Sequence, residues 1–298
     1  MQNESDPAAA RLTVSRHLVD LREGREGTGN WSAFQQPVER IFEAAADWKQ
    51  EMAGITKPWL CWNINNRWCA LQQRMILSVG WTPVVGFDPR LASPSVVPGA
   101  IGIDFNRRFQ FPILWPHFPL EFAFLFAPRL AFWHSDLICR PETLSSLALL
   151  FERLHDGQMA AVLSRGGIRN LLNFKSHRYW ELVCCTTRGA SEDQFRRGAG
   201  WWRNFAMHPN CTDPAERERR ERYNYDSGVG ILYWKNRYGG QIIDIPGRHI
   251  SEGHCTAINR KGYKHLAPAS VHRPVGDELD VNYNLEEVAA RLGVAHFL

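Results

Sequence analysis

The sequence predicts an α/β protein: a mostly parallel central sheet with flanking helices and a hairpin toward the C-terminus. Three observations carry this. Pro58–Ile64 (PWLCWNI) and Thr82–Phe87 (TPVVGF) are short apolar runs of buried-strand type, and between them Trp68–Val79 (WCALQQRMILSV) repeats its apolar residues at helical spacing. Strand, helix and strand joined by short loops make a βαβ unit, and such units build parallel sheets. A third apolar run, Leu130–Trp133, leads into His134-Ser135-Asp136, and Pro141 opens a helix soon after. Finally, the chain has 298 residues, 44% hydrophobic and 22% charged, enough to bury a core without disulfides or structural metal.

Taken in order, residues 1–33 are polar, with Gly24, Gly27 and Gly29 in a charged stretch, and read as a loosely attached arm. A helical pattern runs through VERIFEAAADWKQEMA. After the βαβ unit, residues 91–119 are rich in proline and glycine and predict a long irregular connection. The helix opened by Pro141 stops at Asp156-Gly157. Met159–Leu163 and Trp180–Cys184 read as strands, and Ala190–Phe205 as a helix interrupted by Gly198 and Gly200. Ala215–Arg222 (AERERRER) reads as a solvated helical face with opposite charges four residues apart. Gly230–Trp234 and Gln241–Ile245 flank Asn236–Gly240 and read as the hairpin. Asn284 caps a last amphipathic helix, LEEVAARLGV.

Composition excludes several classes. A net charge of +4 is too mild for a nucleic-acid binder, which needs a clustered basic face. The seven cysteines form no CxxC pair, so neither a disulfide framework nor a structural zinc site is indicated. No apolar run of about 18 residues is present, and the N-terminus lacks a basic-then-apolar signal region. The expectation is a cytoplasmic protein without a transmembrane segment. Phosphate-loop, dinucleotide, HExxH and GxSxG motifs are absent.

The sharpest chemical signal is FWHSDLICRPE, residues 132–142. Open α/β sheets bind ligands at the carboxyl ends of their strands, and a His and an Asp two apart at such an end can share a divalent cation. The plainer reading makes Asp136 a helix cap and His134 a core histidine. Gly253-His254 is the second signal, since a glycine beside a histidine lets an imidazole approach a ligand closely. Asn63, Asn65, Arg67 and Asp88 follow the first two buried strands and are expected to line the ligand end of the sheet. Arg107 and Arg108 are further cations in this half. Asp226, Glu192 and Asp193 are candidate general bases.

The order of these features resembles the GT-A class of nucleotide-sugar-dependent glycosyltransferases. PWLCWNI…WTPVVGFD stands where that class has its nucleotide-binding βαβ half, and FWHSDL resembles a degenerate form of its acidic metal motif. The resemblance implies a Rossmann-related catalytic domain over 34–298, with a nucleotide-binding half (34–140) and an acceptor-binding half (141–298). It implies a divalent metal, Mn or Mg, held by His134, Asp136 and His254, beside a nucleotide-sugar donor. Asn63, Asn65, Arg67 and Asp88 would then serve the nucleotide. Asp226, Glu192 or Asp193 would take the proton of the acceptor hydroxyl. A rival reading is an iron(II)/2-oxoglutarate oxygenase, with His134, Asp136 and His254 as facial triad and Arg260 as the cosubstrate cation; that class uses all-β barrels. A third is a non-catalytic glycan- or protein-binding module built on the 12 tryptophans and on arginines that far outnumber lysines.

Overall fold

A computed structural model of the chain describes residues 38–111, 114–163, 178–201, 205–208, 210–223, 228–254 and 285–298. The expected N-terminal arm, residues 1–33, lies outside them. Helix α1 (Val38–Glu51) precedes strand β1 (Pro58–Asn63), helix α2 (Asn66–Ser78) and strand β2 (Thr82–Phe87). The βαβ unit therefore forms as its apolar runs predict. Within the irregular connection lie a two-residue strand, β3 (Ile101–Gly102), and the short helices α3 (His117–Glu121) and α4 (Ala123–Phe126). The order continues with β4 (Arg129–Trp133), α5 (Pro141–Glu152), β5 (Gln158–Leu163), β6 (Tyr179–Thr187), α6 (Arg188–Arg197) and α7 (Pro214–Glu221). Then come α8 (Val229–Tyr238), β7 (Gln241–Pro246), α9 (Arg248–Ser251) and α10 (Leu285–Arg291).

The seven strands form one sheet in the order β3-β2-β1-β4-β6-β5-β7. Every neighbouring pair is parallel except those made by β6, which runs against both β4 and β5. The chain builds outward from β1 to β2 and β3, then crosses back to place β4 on the other side of β1. The boundary between β1 and β4 is thus a topological switch point, where open α/β sheets form their ligand crevice.

Both faces of the sheet are covered. On one, Trp48 of α1 and Phe105, Phe118 and Phe126 pack over Leu60, Val84 and Phe132. On the other, Leu71 and Met75 of α2 and Leu144 and Phe151 of α5 pack over Trp59, Val85 and Ala131. Burial on both faces explains why β1 and β2 read as continuous apolar runs and not as alternating ones.

Two expectations are corrected. The C-terminal hairpin does not form: Val229–Tyr238 is a helix, and β7 pairs in parallel with β5. Left-handed Gly228 (φ 82°) and Gly239 (φ 75°) bound that helix, and a short run such as GILYW has no period that separates strand from helix. Nor is AERERRER a wholly solvated face. Arg220 is 1% exposed and donates to the carbonyls of Gly198, Phe205 and Arg197, to the Tyr238 hydroxyl and to Glu216. Glu216 also accepts from Tyr233 and Tyr238, so a polar core ties α7 to α8 and to the end of α6.

Candidate metal centre

Strand β4 delivers the centre. Its ladder continues one residue beyond Trp133, where the His134 amide donates to the Leu182 carbonyl at 2.8 Å. The chain then turns, and the Leu137 amide donates back to the His134 carbonyl at 3.1 Å. Asp136 sits inside this turn, a position that suits aspartate. The geometry brings the His134 Nδ1 against Asp136 Oδ1.

His254 comes from the other end of the domain. Strand β7 ends on the same side of the sheet as β4, α9 follows, and the chain makes an isolated antiparallel bridge between Leu137 and His254. The Ile138 amide donates to the Gly253 carbonyl at 3.1 Å. A Cβ on residue 253 would lie 1.6 Å from the Ile138 carbonyl oxygen, so only glycine permits this approach. His254 Nε2 then stands 3.2 Å from Asp136 Oδ1, and the two imidazole rings meet edge-on with centroids 5.3 Å apart.

His134, Asp136 and His254 each offer a ligand atom, and the three atoms lie within 4.8 Å of one another. Burial alone would raise the Asp136 carboxyl; the imidazoles of His134 and His254 outweigh this and hold it well below the usual carboxylate range. His254 Nε2 is buried, and the Asp136 carboxylate is the polar group it faces. Two imidazoles and an ionised carboxylate gathered this closely are a donor set that fits a divalent ion.

The other expected residues fall as follows. Asn63 ends β1 at the switch point, fully buried; its Nδ2 donates to Asn66 Oδ1, and its Oδ1 has no partner. Asn65 caps α2, its Oδ1 accepting from the amides of Arg67 and Trp68. Arg67 is exposed and pairs with Glu286 of α10. Both oxygens of Asp88 are held by Arg90, which makes this aspartate the anchor of a turn. Arg107 and Arg108 are not spare cations: they pair with Glu51 and with Glu43 and Asp47 of α1.

Glu192 and Asp193 lie on α6, which starts at the end of the sheet remote from His134, because β6 runs against β4. Glu192 pairs with Arg196, while Asp193 pairs with Arg197 and accepts from the Trp234 indole at 2.7 Å. Neither is found in a contact with the centre among the described residues. Asp226 and Arg260 lie outside the described residues.

Sequence reasoning missed two features at this end of the sheet. Glu181, next to the Leu182 that pairs with His134, holds His117 of α3 in a half-buried carboxylate–imidazole pair. Gln72 of α2 reaches the turn that carries Asp136. Neither has a sequence motif, since both are set by packing across the sheet. No protein-family model, curated protein or solved structure matches this chain.

Proposed function

We propose that the protein is a metal-assisted glycosyltransferase of GT-A type, moving a sugar from a nucleotide-diphosphate donor to an acceptor hydroxyl. The observation that carries the reading is the convergence of His134, Asp136 and His254 at the carboxyl end of β4, beside the β1/β4 switch point. Held by these three residues, a divalent ion would supply positive charge to a departing diphosphate. Two imidazoles and one carboxylate suit a transition ion such as Mn²⁺ better than Mg²⁺, which favours oxygen ligands.

The chain's own residues account for the rest of the site. Asn63, at the end of β1, is fully buried and donates to Asn66, so a nucleotide would reach its carbonyl oxygen only if the end of β1 opened. Among the described carboxylates, Glu181 with His117 stands closer in register to His134 than Glu192 or Asp193 does, and it takes their place as proton acceptor for the incoming hydroxyl.

The donor set also favours a second reading. Two histidines and one carboxylate make a complete facial triad for an iron(II)/2-oxoglutarate oxygenase. The α/β sheet speaks against it, because that class uses an all-β jelly-roll barrel. One thermal-shift experiment separates the readings. UDP- and GDP-sugars with Mn²⁺ are expected to raise the melting temperature more than either component alone. A response to Fe²⁺ with 2-oxoglutarate, and none to nucleotide sugars, refutes the transferase. No response to any of them leaves the non-catalytic binding module. Among the described residues no helix is long and apolar enough to cross a membrane.

A further inference from the structure

Gln72 and Gln73 are neighbours on α2, and both are fully buried. Their side chains do different things. Gln73 holds a remote loop: its Nε2 donates to the Ser95 carbonyl and the Cys69 sulfur, and its Oε1 accepts from the Val97 amide. Gln72 instead donates from one Nε2 to two carbonyls, those of His134 and Leu137, each at 2.8 Å. These residues open and close the turn that holds Asp136. Leu137 is also the bridge partner of His254, and its carbonyl takes a second hydrogen bond from the Trp133 indole at 2.5 Å.

The orientation of the Gln72 amide follows from these partners. Turned over, its oxygen would face two carbonyl oxygens, so the nitrogen must point at the turn. The cost is that Oε1 is buried without a partner. A methionine of similar size would carry no such penalty, so packing alone does not account for a glutamine here. What the amide supplies, and methionine does not, is a two-pronged donor that sets the spacing between His134 and the strand segment meeting His254.

We propose that Gln72 is the positioning residue of the metal centre, fixing the separation of His134, Asp136 and His254 through the backbone of the turn. This rests on the metal-centre part of the functional reading and not on the transferase chemistry. Partners that orient metal ligands typically matter by about 10–100-fold in metal affinity.

The test is a titration of the full-length protein with Mn²⁺ by electron paramagnetic resonance, and with Co²⁺ by its visible spectrum, in three variants. Asp136→Ala is expected to abolish binding. Gln72→Met is expected to weaken it about 10–100-fold and to alter the Co²⁺ band. Gln73→Met removes an equally buried amide from the same helix; it is expected to lower the melting temperature and leave both metal readouts unchanged. If the unaltered protein binds neither ion, the metal centre itself is refuted, and the role of Gln72 with it. If the unaltered protein binds but Gln72→Met binds equally well, or Gln73→Met weakens binding as much, the positioning role alone is overturned. Should Gln72→Met fail to fold, Gln72→Glu replaces it: a carboxylate facing two carbonyls is expected to weaken binding, and undiminished affinity overturns the proposal.

Discussion

Replacing Arg220 with methionine tests whether the charged run on α7 is a surface or a core. The arginine is 1% exposed, and its guanidinium satisfies the carbonyls of Gly198, Phe205 and Arg197. Methionine keeps most of the apolar stem, so packing loss is small. Three carbonyls lose a donor; that of Phe205 keeps the His208 amide, and the other two cost about 1–3 kcal/mol each. Glu216 is not stranded, because Tyr233, Tyr238 and Arg219 still bond it. The expected loss is about 4 kcal/mol, which comes mainly from the carbonyls of Gly198 and Arg197. Against a typical total of about 5–15 kcal/mol, this is a large fraction of the stability. Urea unfolding followed by tryptophan fluorescence reads it directly. With a slope near about 3 kcal/mol per molar, the midpoint moves down by about 1.3 M. Arg222→Met is the control, since Arg222 is 73% exposed and its pair with Glu218 spans 3.6 Å; it is expected to shift stability by less than about 0.5 kcal/mol. If the two variants unfold at the same urea concentration, the buried-core account of α7 is wrong.

Three further outcomes are expected. Gly253→Ala forces the His254 segment away from Ile138, so stability falls by about 2 kcal/mol and Mn²⁺ binding is lost with it; a variant with unchanged melting and metal response contradicts the close-approach argument. His208 is buried, donates to Glu121, and is pushed down to about 3 by desolvation and by the charge of Arg220. An unfolded imidazole titrates near about 6.5, so below that pH the unfolded chain binds a proton that the folded chain refuses. Stability therefore falls from about pH 6.5 toward about pH 3. From pH 7 to pH 5 this one group removes about 2 kcal/mol, and His208→Gln flattens the profile by that amount; parallel profiles overturn the assignment. Burial pushes the thiols of Cys69, Cys139 and Cys185 up to about 12 and raises those of Cys61, Cys184 and Cys211. An aromatic disulfide reagent at pH 8 should find no more than one fast thiol in the native protein and seven after denaturation, because Cys255 alone lies outside the described residues.

The parts of the fold that were legible share one property: their local signal agrees with their tertiary setting. The runs at 58–64 and 82–87 are apolar throughout because both sheet faces are covered, and they became β1 and β2. His134 and Asp136 were legible because a strand end is a place that the sequence marks, with an apolar run that stops at polar residues. His254 was legible through its glycine. What failed was the path between them. The run GILYW forms a helix between left-handed Gly228 and Gly239 and buries Ile231, Tyr233 and Trp234, and periodicity over five residues carries no trace of that packing. Arg220 was misread because charge predicts exposure until a cage of carbonyls is built around it. Gln72 was invisible because its role depends on a turn 62 residues away.

The placement of β7 has a consequence for how the chain is made. Strand β5, whose Met159–Val162 core is fully buried, has β6 on one side and β7 on the other, so the latter edge stays open until residue 241 is available. During synthesis the ribosome therefore releases an apolar strand with one unpaired edge well before its partner exists. Such an edge is a template for pairing with another chain. A protein ending after Tyr238 would keep this edge open permanently and would lack His254 as well. It is expected to be recovered in aggregates, and supplying residues 241–298 as a separate segment is the direct way to learn whether closing that edge restores it.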